Sequence, residues 1–105
     1  MKHTLTQPQA AALRILVQEG SVPYGYGRFG RSMARLVREG LAVVRGATAE
    51  PTAAGIAWVE RALAKRMAEA TAAHGTHLPS HLRGDFDESI AALARAHDRL
   101  AGRAS

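Results

Sequence analysis

Arg28-Phe29-Gly30-Arg31-Ser32-Met33-Ala34-Arg35-Leu36-Val37-Arg38-Glu39-Gly40-Leu41 is the stretch on which the fold of this chain turns. On a helix at about 100° per residue, Arg28, Arg31, Arg35 and Arg38 fall within an arc of roughly 80°, while Phe29, Met33, Leu36 and Val37 cluster on the far side. One face suits a core and the other suits anions. The arginine face is either a recognition helix laid along phosphates and guanine edges in a DNA groove, or a solvated face in an arginine-rich chain. What flanks it has to decide.

Composition narrows the field. With 105 residues, one domain is expected, large enough for a small core but not for an elaborate enzyme cleft with supporting layers. Lys and Arg outnumber Asp and Glu by 14 to 9, giving a formal net charge of +5 and a sequence pI of about 10.7, which favours polyanions and acidic surfaces as partners. The absence of cysteine removes disulfides, thiol catalysis and thiolate zinc sites, and fits a cytoplasmic location. Gln7, Pro8, Gln9 and Arg14 interrupt the first residues, so a secretory signal is not expected, and no apolar run approaches the length of a membrane span. Abundant alanine and few aromatics predict a mainly α protein.

Working outward from the arginine stretch, Thr6 reads as the N-cap of a first helix, Gln9 completes a capping box, and Pro8 sits early enough to cost little. Ala12, Leu13, Leu16 and Val17 give that helix one apolar side, and Gly20 ends it. Pro23, Gly25, Gly27 and Gly30 make Ser21 to Gly30 the least helix-like segment. After the arginine helix, which Gly40 terminates, Leu41 to Val44 reads as a strand, Gly46 to Thr48 as a turn and Ala49 to Pro51 as a return strand. Thr52 caps a long helix with Ile56, Val59, Leu63, Met67 and Ala70 on one side, spanning roughly 33 Å at 1.5 Å per residue. Asp85 and Glu88 fit a capping box for a last helix with the stripe Phe86, Ile90, Leu93, His97 and Leu100.

The order of these pieces resembles the winged helix–turn–helix domain, in particular MarR- and PadR-like bacterial or phage regulators. The resemblance spans roughly residues 5–64 and rests on Leu5-Thr6 with Gln9, on Leu36-Val37-Arg38-Glu39-Gly40-Leu41, and on Pro51-Thr52-Ala53-Ala54-Gly55. It implies a mainly α winged helix–turn–helix with a short two-stranded wing and C-terminal helices used for dimerisation. A winged-helix domain over residues 1–75 would include a long helix over 53–74, residues 76–84 would be a connector, and residues 85–105 would pack on the domain or on a partner copy. The resemblance further implies double-stranded DNA as the partner, with Arg28, Arg31, Ser32 and Arg35 facing the major groove, Arg38 nearer the backbone, and Arg45 the wing's only cation. The expected function is therefore sequence-specific transcriptional regulation by a small homodimer. The alternative on the same fold is a protein-interaction module that turns its basic face on an acidic partner. The chain departs from the pattern in having a glycine-rich stretch where a second helix would stand.

Three other motifs carry less. Gly25-Tyr26-Gly27-Arg28-Phe29-Gly30 matches a Gly-x-Gly-x-x-Gly fingerprint, but a nucleotide site of that kind needs a βαβ setting, and here a helix precedes it. Packing is the better explanation, with Tyr24, Tyr26 and Phe29 turned inward. His74, His77 and His81 are competent metal ligands, yet Gly75 and Pro79 break the register that would align them, and neither metal nor cofactor is expected. No serine, histidine and acid recur in a hydrolase pattern, so an enzyme is not expected. Trp58, off the apolar seam, is left between core, effector pocket and subunit interface.

Overall fold

Thr6 and Gln9 form the reciprocal cap that their spacing predicts: Thr6 N–H donates to Gln9 Oε1 at 3.0 Å and Gln9 N–H donates to Thr6 Oγ1 at 3.4 Å. From this cap α1 (Gln7–Glu19) runs to Gly20, whose φ of 89° lies in the region that glycine alone enters without strain. A computed structural model describes residues 4–25 and 29–104. After α1 come β1 (Val22–Pro23), α2 (Gly30–Arg38), β2 (Ala42–Arg45), β3 (Thr48–Pro51), α3 (Ala53–His74) and α4 (Ser80–Ala104). The chain is thus mainly helical with a small antiparallel sheet. Among the described residues no helix is long and apolar enough to cross a membrane.

The three strands stand in the order β1-β3-β2. The β2–β3 hairpin pairs Ala42 with Pro51 and Arg45 with Thr48, leaving Gly46 and Ala47 as a two-residue turn. Gly46 has φ 61°, the sign a type II′ turn needs at its first central position. The turn is one residue shorter than the sequence suggests, because Thr48 already pairs. β1 was not legible in the sequence. Two residues long, it sets Val22 against Ala49 and Pro23 against Thr48, and Tyr24 N–H continues the ladder to Ala47 O at 2.9 Å. Pro23, having no N–H to donate, is tolerated there because β1 is an edge strand.

One core serves the whole chain. Leu13, Leu16 and Val17 of α1, Met33 and Leu36 of α2, Leu41 between α2 and β2, and Ile56 and Val59 of α3 are all buried, and Phe86, Leu93 and Ala96 of α4 join the same cluster. The long α3 does find the cover that its length demands: its Leu63 side faces Phe86 and Leu93 of α4, with Met67 and Ala70 partly buried beside them. The apolar seams expected to face a partner copy are therefore largely satisfied within one chain. Only the edge of the α4 stripe stays outside, with Ile90 47% exposed.

The last helix corrects a predicted boundary. It starts at Ser80 rather than Asp85, with Leu82 N–H and Arg83 N–H both donating to Pro79 O at 3.1 Å. Asp85 and Glu88 consequently lie more than one and more than two turns inside, and no acid occupies the first turn. The helix runs through Gly84 because Leu82 and Phe86 on either side pack on the core, which offsets the roughly 1 kcal/mol that an interior glycine costs. At the other end of α4, Arg99 Nη2 donates to Val17 O at 3.1 Å, satisfying one of the carbonyls that the end of α1 leaves without a helical partner.

The tightest joint lies where α3 begins. Thr52 N–H donates to Leu41 O at 3.1 Å, Thr52 Oγ1 donates to Gly40 O at 2.6 Å, and the same oxygen accepts from Gly55 N–H at 3.1 Å. A Cβ on Gly55 would lie 2.1 Å from Leu41 O and 3.4 Å from a methyl of Leu13. Gly55→Ala is therefore expected to destabilise the fold by about 3 kcal/mol, whereas Gly84→Ala, with open space around its Cβ position, should stabilise it by up to about 1 kcal/mol. Denaturant midpoints of the two variants, read by circular dichroism, check the contrast, and equal shifts would contradict the close approach at Leu41.

Candidate nucleic-acid interface

The α2 helix is held by its apolar side and presents its polar side. Met33 and Leu36 are 2% and 0% exposed, and Phe29 and Val37 are partly buried against the same core. A Schellman motif ends the helix: Leu41 N–H donates to Leu36 O at 2.9 Å and Gly40 N–H to Val37 O at 3.1 Å, with Gly40 at φ 75°. The motif turns the chain so that Leu41, fully buried, packs beside Leu36. Among the described residues no helix stands between α1 and α2. Direct packing of α1 on α2, not a bracing second helix, orients the arginine face.

The arginines on that face are not equivalent. Arg31 and Arg38 are exposed and, among the described residues, form no ion pair. Arg35 is half-buried and tied to Glu39, with its Nε and Nη2 both 2.8 Å from Glu39 Oε1. Such an i,i+4 pair on an accessible helix is worth only a few tenths of a kcal/mol, so a phosphate can displace it. Ser32 is half-buried one residue beyond Arg31. Arg28 lies outside the described residues, as does Tyr26. Tyr24 and Phe29, the other two aromatics of the glycine-rich stretch, do turn toward the core.

Arg45 sits at the end of β2, where its Nε lies 3.2 Å from Glu50 Oε1 across the hairpin. Its side chain is 59% exposed against 14% for Glu50, so the acid is the fixed member of the pair and the arginine the reachable one. The N-terminus of α2 makes no side-chain cap hydrogen bond. Its first-turn N–H groups and the positive end of the helix dipole thus lie on the same element as Arg31 and add to its field. Arg35 and Arg38 fall in the last turn, where cations are favoured.

Sequence reasoning did not anticipate that Glu39 and Glu50 would each hold one of the candidate cations. The Glu39 contact was open to it, since Arg35 and Glu39 are four apart on a helix. The Glu50 contact depends on the hairpin register and was not. His74 closes α3, His77 lies in the following turn and His81 in the first turn of α4, and among the described residues no group of three or more potential ligands converges. No family model matches the chain, and neither does a curated protein or a solved structure.

Because the arginine face carries no core contact, Arg31→Ala and Arg38→Ala are expected to leave the denaturant midpoint unchanged, whereas Leu36→Ala should cost about 3 kcal/mol. Urea titration of the three variants tests this division of α2 into a structural and a free side.

Proposed function

We propose that this protein is a winged-helix, sequence-specific binder of double-stranded DNA that regulates transcription as a small dimer. The observation that carries the reading is the division of α2, with Met33 and Leu36 sunk in the core while Arg31 and Arg38 stand exposed and, among the described residues, without an acid partner. A helix anchored in that way is a rigid mount for phosphate and base contacts, and the residues nearest its N-terminus, Arg31 and Ser32, are those that reach base edges in a helix–turn–helix. Arg28, adjoining that N-terminus in the sequence, would add to the same contacts. Arg35 joins by exchanging Glu39 for a phosphate, Arg38 contacts the backbone, and Arg45 reaches from the hairpin to a flanking phosphate.

The element order supports the same reading: α1, the arginine helix, the β2–β3 hairpin and then the long α3 follow one another as the resemblance requires. The dimer is proposed to use the outer flank of α3 and α4, where Ile90, Met67 and Ala94 border a shallow groove and His97 Nε2 lies 3.0 Å from Glu60 Oε1. Two copies joined there would set two α2 helices on successive turns of the duplex. Regulation then follows from occupancy, by blocking or recruiting polymerase.

Fluorescence anisotropy with the gene's own upstream DNA against a random duplex, at two salt concentrations, tests the proposal. Tighter binding to the upstream duplex is expected, with affinity falling steeply as salt rises. The double variant Arg31→Ala/Arg38→Ala should bind both duplexes more weakly and reduce the salt slope by about two. No binding at low salt would instead favour an acidic protein as the partner of the arginine face.

A further inference from the structure

A second group of cations lies away from α2 and the hairpin. Arg35 and Arg45 are paired with acids and Arg99 is engaged with a backbone carbonyl, but Arg14, Arg61, Lys65 and Arg66 form no ion pair among the described residues. All four border one groove between α1 and α3. Arg61, Lys65 and Arg66 are exposed, with Arg61 and Lys65 one turn apart in a row along α3, and Arg14 reaches the same groove from α1. Like charges at that spacing weaken a helix, so folding supplies no reason for the row. Acids stand close by. Glu69 lies one turn beyond Lys65, and Arg14 and Arg66 also border a neighbouring groove with Asp85 and Glu88 of α4. Among the described residues none of these three acids forms an ion pair with the four cations, and Arg61 and Lys65 are the two that stand farthest from Asp85 and Glu88 in lining no groove with them.

We propose that this face is a second, sequence-independent DNA contact, which takes the phosphate backbone of a duplex while α2 reads the bases. The contact rests on the DNA-binding reading and extends it to a surface that no residue of α2 or of the hairpin lines. Composition selects a duplex over a protein partner. Four of the nine lining residues are cations, whereas the centre of a protein–protein interface is depleted in charge, lysine included. Protein–DNA interfaces are the polar and strongly positive ones. Position makes the contact blind to sequence. Arg61, Lys65 and Arg66 lie in the middle of α3, with more than a turn of helix on either side, so this helix offers a groove no end of the kind that reaches base edges. From Arg61 to Lys65 the row advances about 6 Å, and the phosphates of one strand recur about every 3.4 Å of duplex axis, so each cation can meet a phosphate of its own. The exposed amide of Gln7, at the same groove, adds a neutral donor of the kind that phosphate oxygens accept. Glu69 repels phosphate and marks the end of the row.

Fluorescence anisotropy of the full chain on a random duplex, over a series of salt concentrations, tests the proposal. Arg61→Gln/Lys65→Gln, at two exposed positions and with folding checked by circular dichroism, is expected to bind the random duplex about tenfold more weakly than the parent at low salt and to reduce the slope of log affinity on log salt by about two. Since that variant also lowers the net charge, Arg83→Gln/Arg95→Gln, which removes two exposed cations of α4 that do not line the groove, is the matched control, and its slope should equal the parent's. The exchange Arg61→Lys/Lys65→Arg should bind as the parent does, because a backbone contact of this kind requires the charge and not one side-chain shape. Preference for the gene's own upstream duplex over the random one belongs to α2, so Arg61→Gln/Lys65→Gln should keep it and Arg31→Ala/Arg38→Ala should reduce it. An unchanged slope in Arg61→Gln/Lys65→Gln, or a loss no greater than that of the α4 control, would overturn the second contact and leave the role of α2 standing. A parent that binds the random duplex through Arg61 and Lys65 without preferring the upstream one would overturn the reading of α2 and leave the second contact standing. No binding of either duplex by the parent at low salt would overturn both.

Discussion

Everything on the arginine-bearing side of the molecule hangs from the approach of the first turn of α3 to the carbonyl of Leu41. At that point two backbone segments meet in one hydrogen-bonded knot: Gly40 ends α2 and Leu41 enters the core, while Thr52 with Gly55 opens α3. Leu41 O accepts from Thr52 N–H and has the Cα of Gly55 against it, so no side chain larger than hydrogen fits at position 55. The contact fixes where α3 starts relative to where α2 stops. The hairpin between them has no freedom to drift, because its first and last residues, Ala42 and Pro51, are paired directly beside the knot.

That constraint, with the packing of α1, explains how a nine-residue helix is held although no helix stands between α1 and α2 among the described residues. The α2 helix has no side-chain cap at its start, and a helix this short would be marginal by itself. Its stability comes from Met33 and Leu36 in the core and from the Schellman turn that hands the chain to Leu41. The arginine side contributes almost nothing to folding. A surface that costs the fold nothing can be given over to a ligand, and the proposed DNA contacts depend on that separation of duties. The ion pairs of Arg35 and Arg45 fit the same scheme, since exposed pairs of this kind are weak enough to exchange one anion for another.

The four helices, their caps and the hairpin were largely legible because each rests on interactions within a few residues. Thr6 and Gln9 are three apart, Gly20 and Gly40 follow the apolar runs they end, and Thr52 sits three residues before the N–H it accepts. The face of α2 was legible for the same reason, as periodicity alone separates Met33 and Leu36 from Arg31 and Arg38. The start of α4 misled because Asp85 and Glu88 have the spacing of a capping box, while the Pro79 carbonyl, with no side-chain signature, does the capping. The strand β1 escaped notice because two residues carry no periodicity, and it exists only through pairing with a residue 27 positions later, Val22 to Ala49.

The sequence by itself determined the helical segments, the arginine and apolar sides of α2, the glycine stops and the surplus of positive charge, since local hydrogen bonds and the period of a helix specify them. Only the tertiary structure decided which cations are engaged and which, among the described residues, have no acid partner, that the seams of α3 and α4 close on each other within one chain, and that Arg14 joins Trp58, Arg61, Lys65 and Arg66 at one groove. Those outcomes depend on how helices distant in sequence pack, and a residue's type and spacing hold no record of which neighbour will face it. Gly55 shows the division most plainly. The pattern Thr-x-x-Gly is visible in the chain, but the carbonyl of Leu41 that makes the glycine necessary comes from another segment and appears only when the two are folded together.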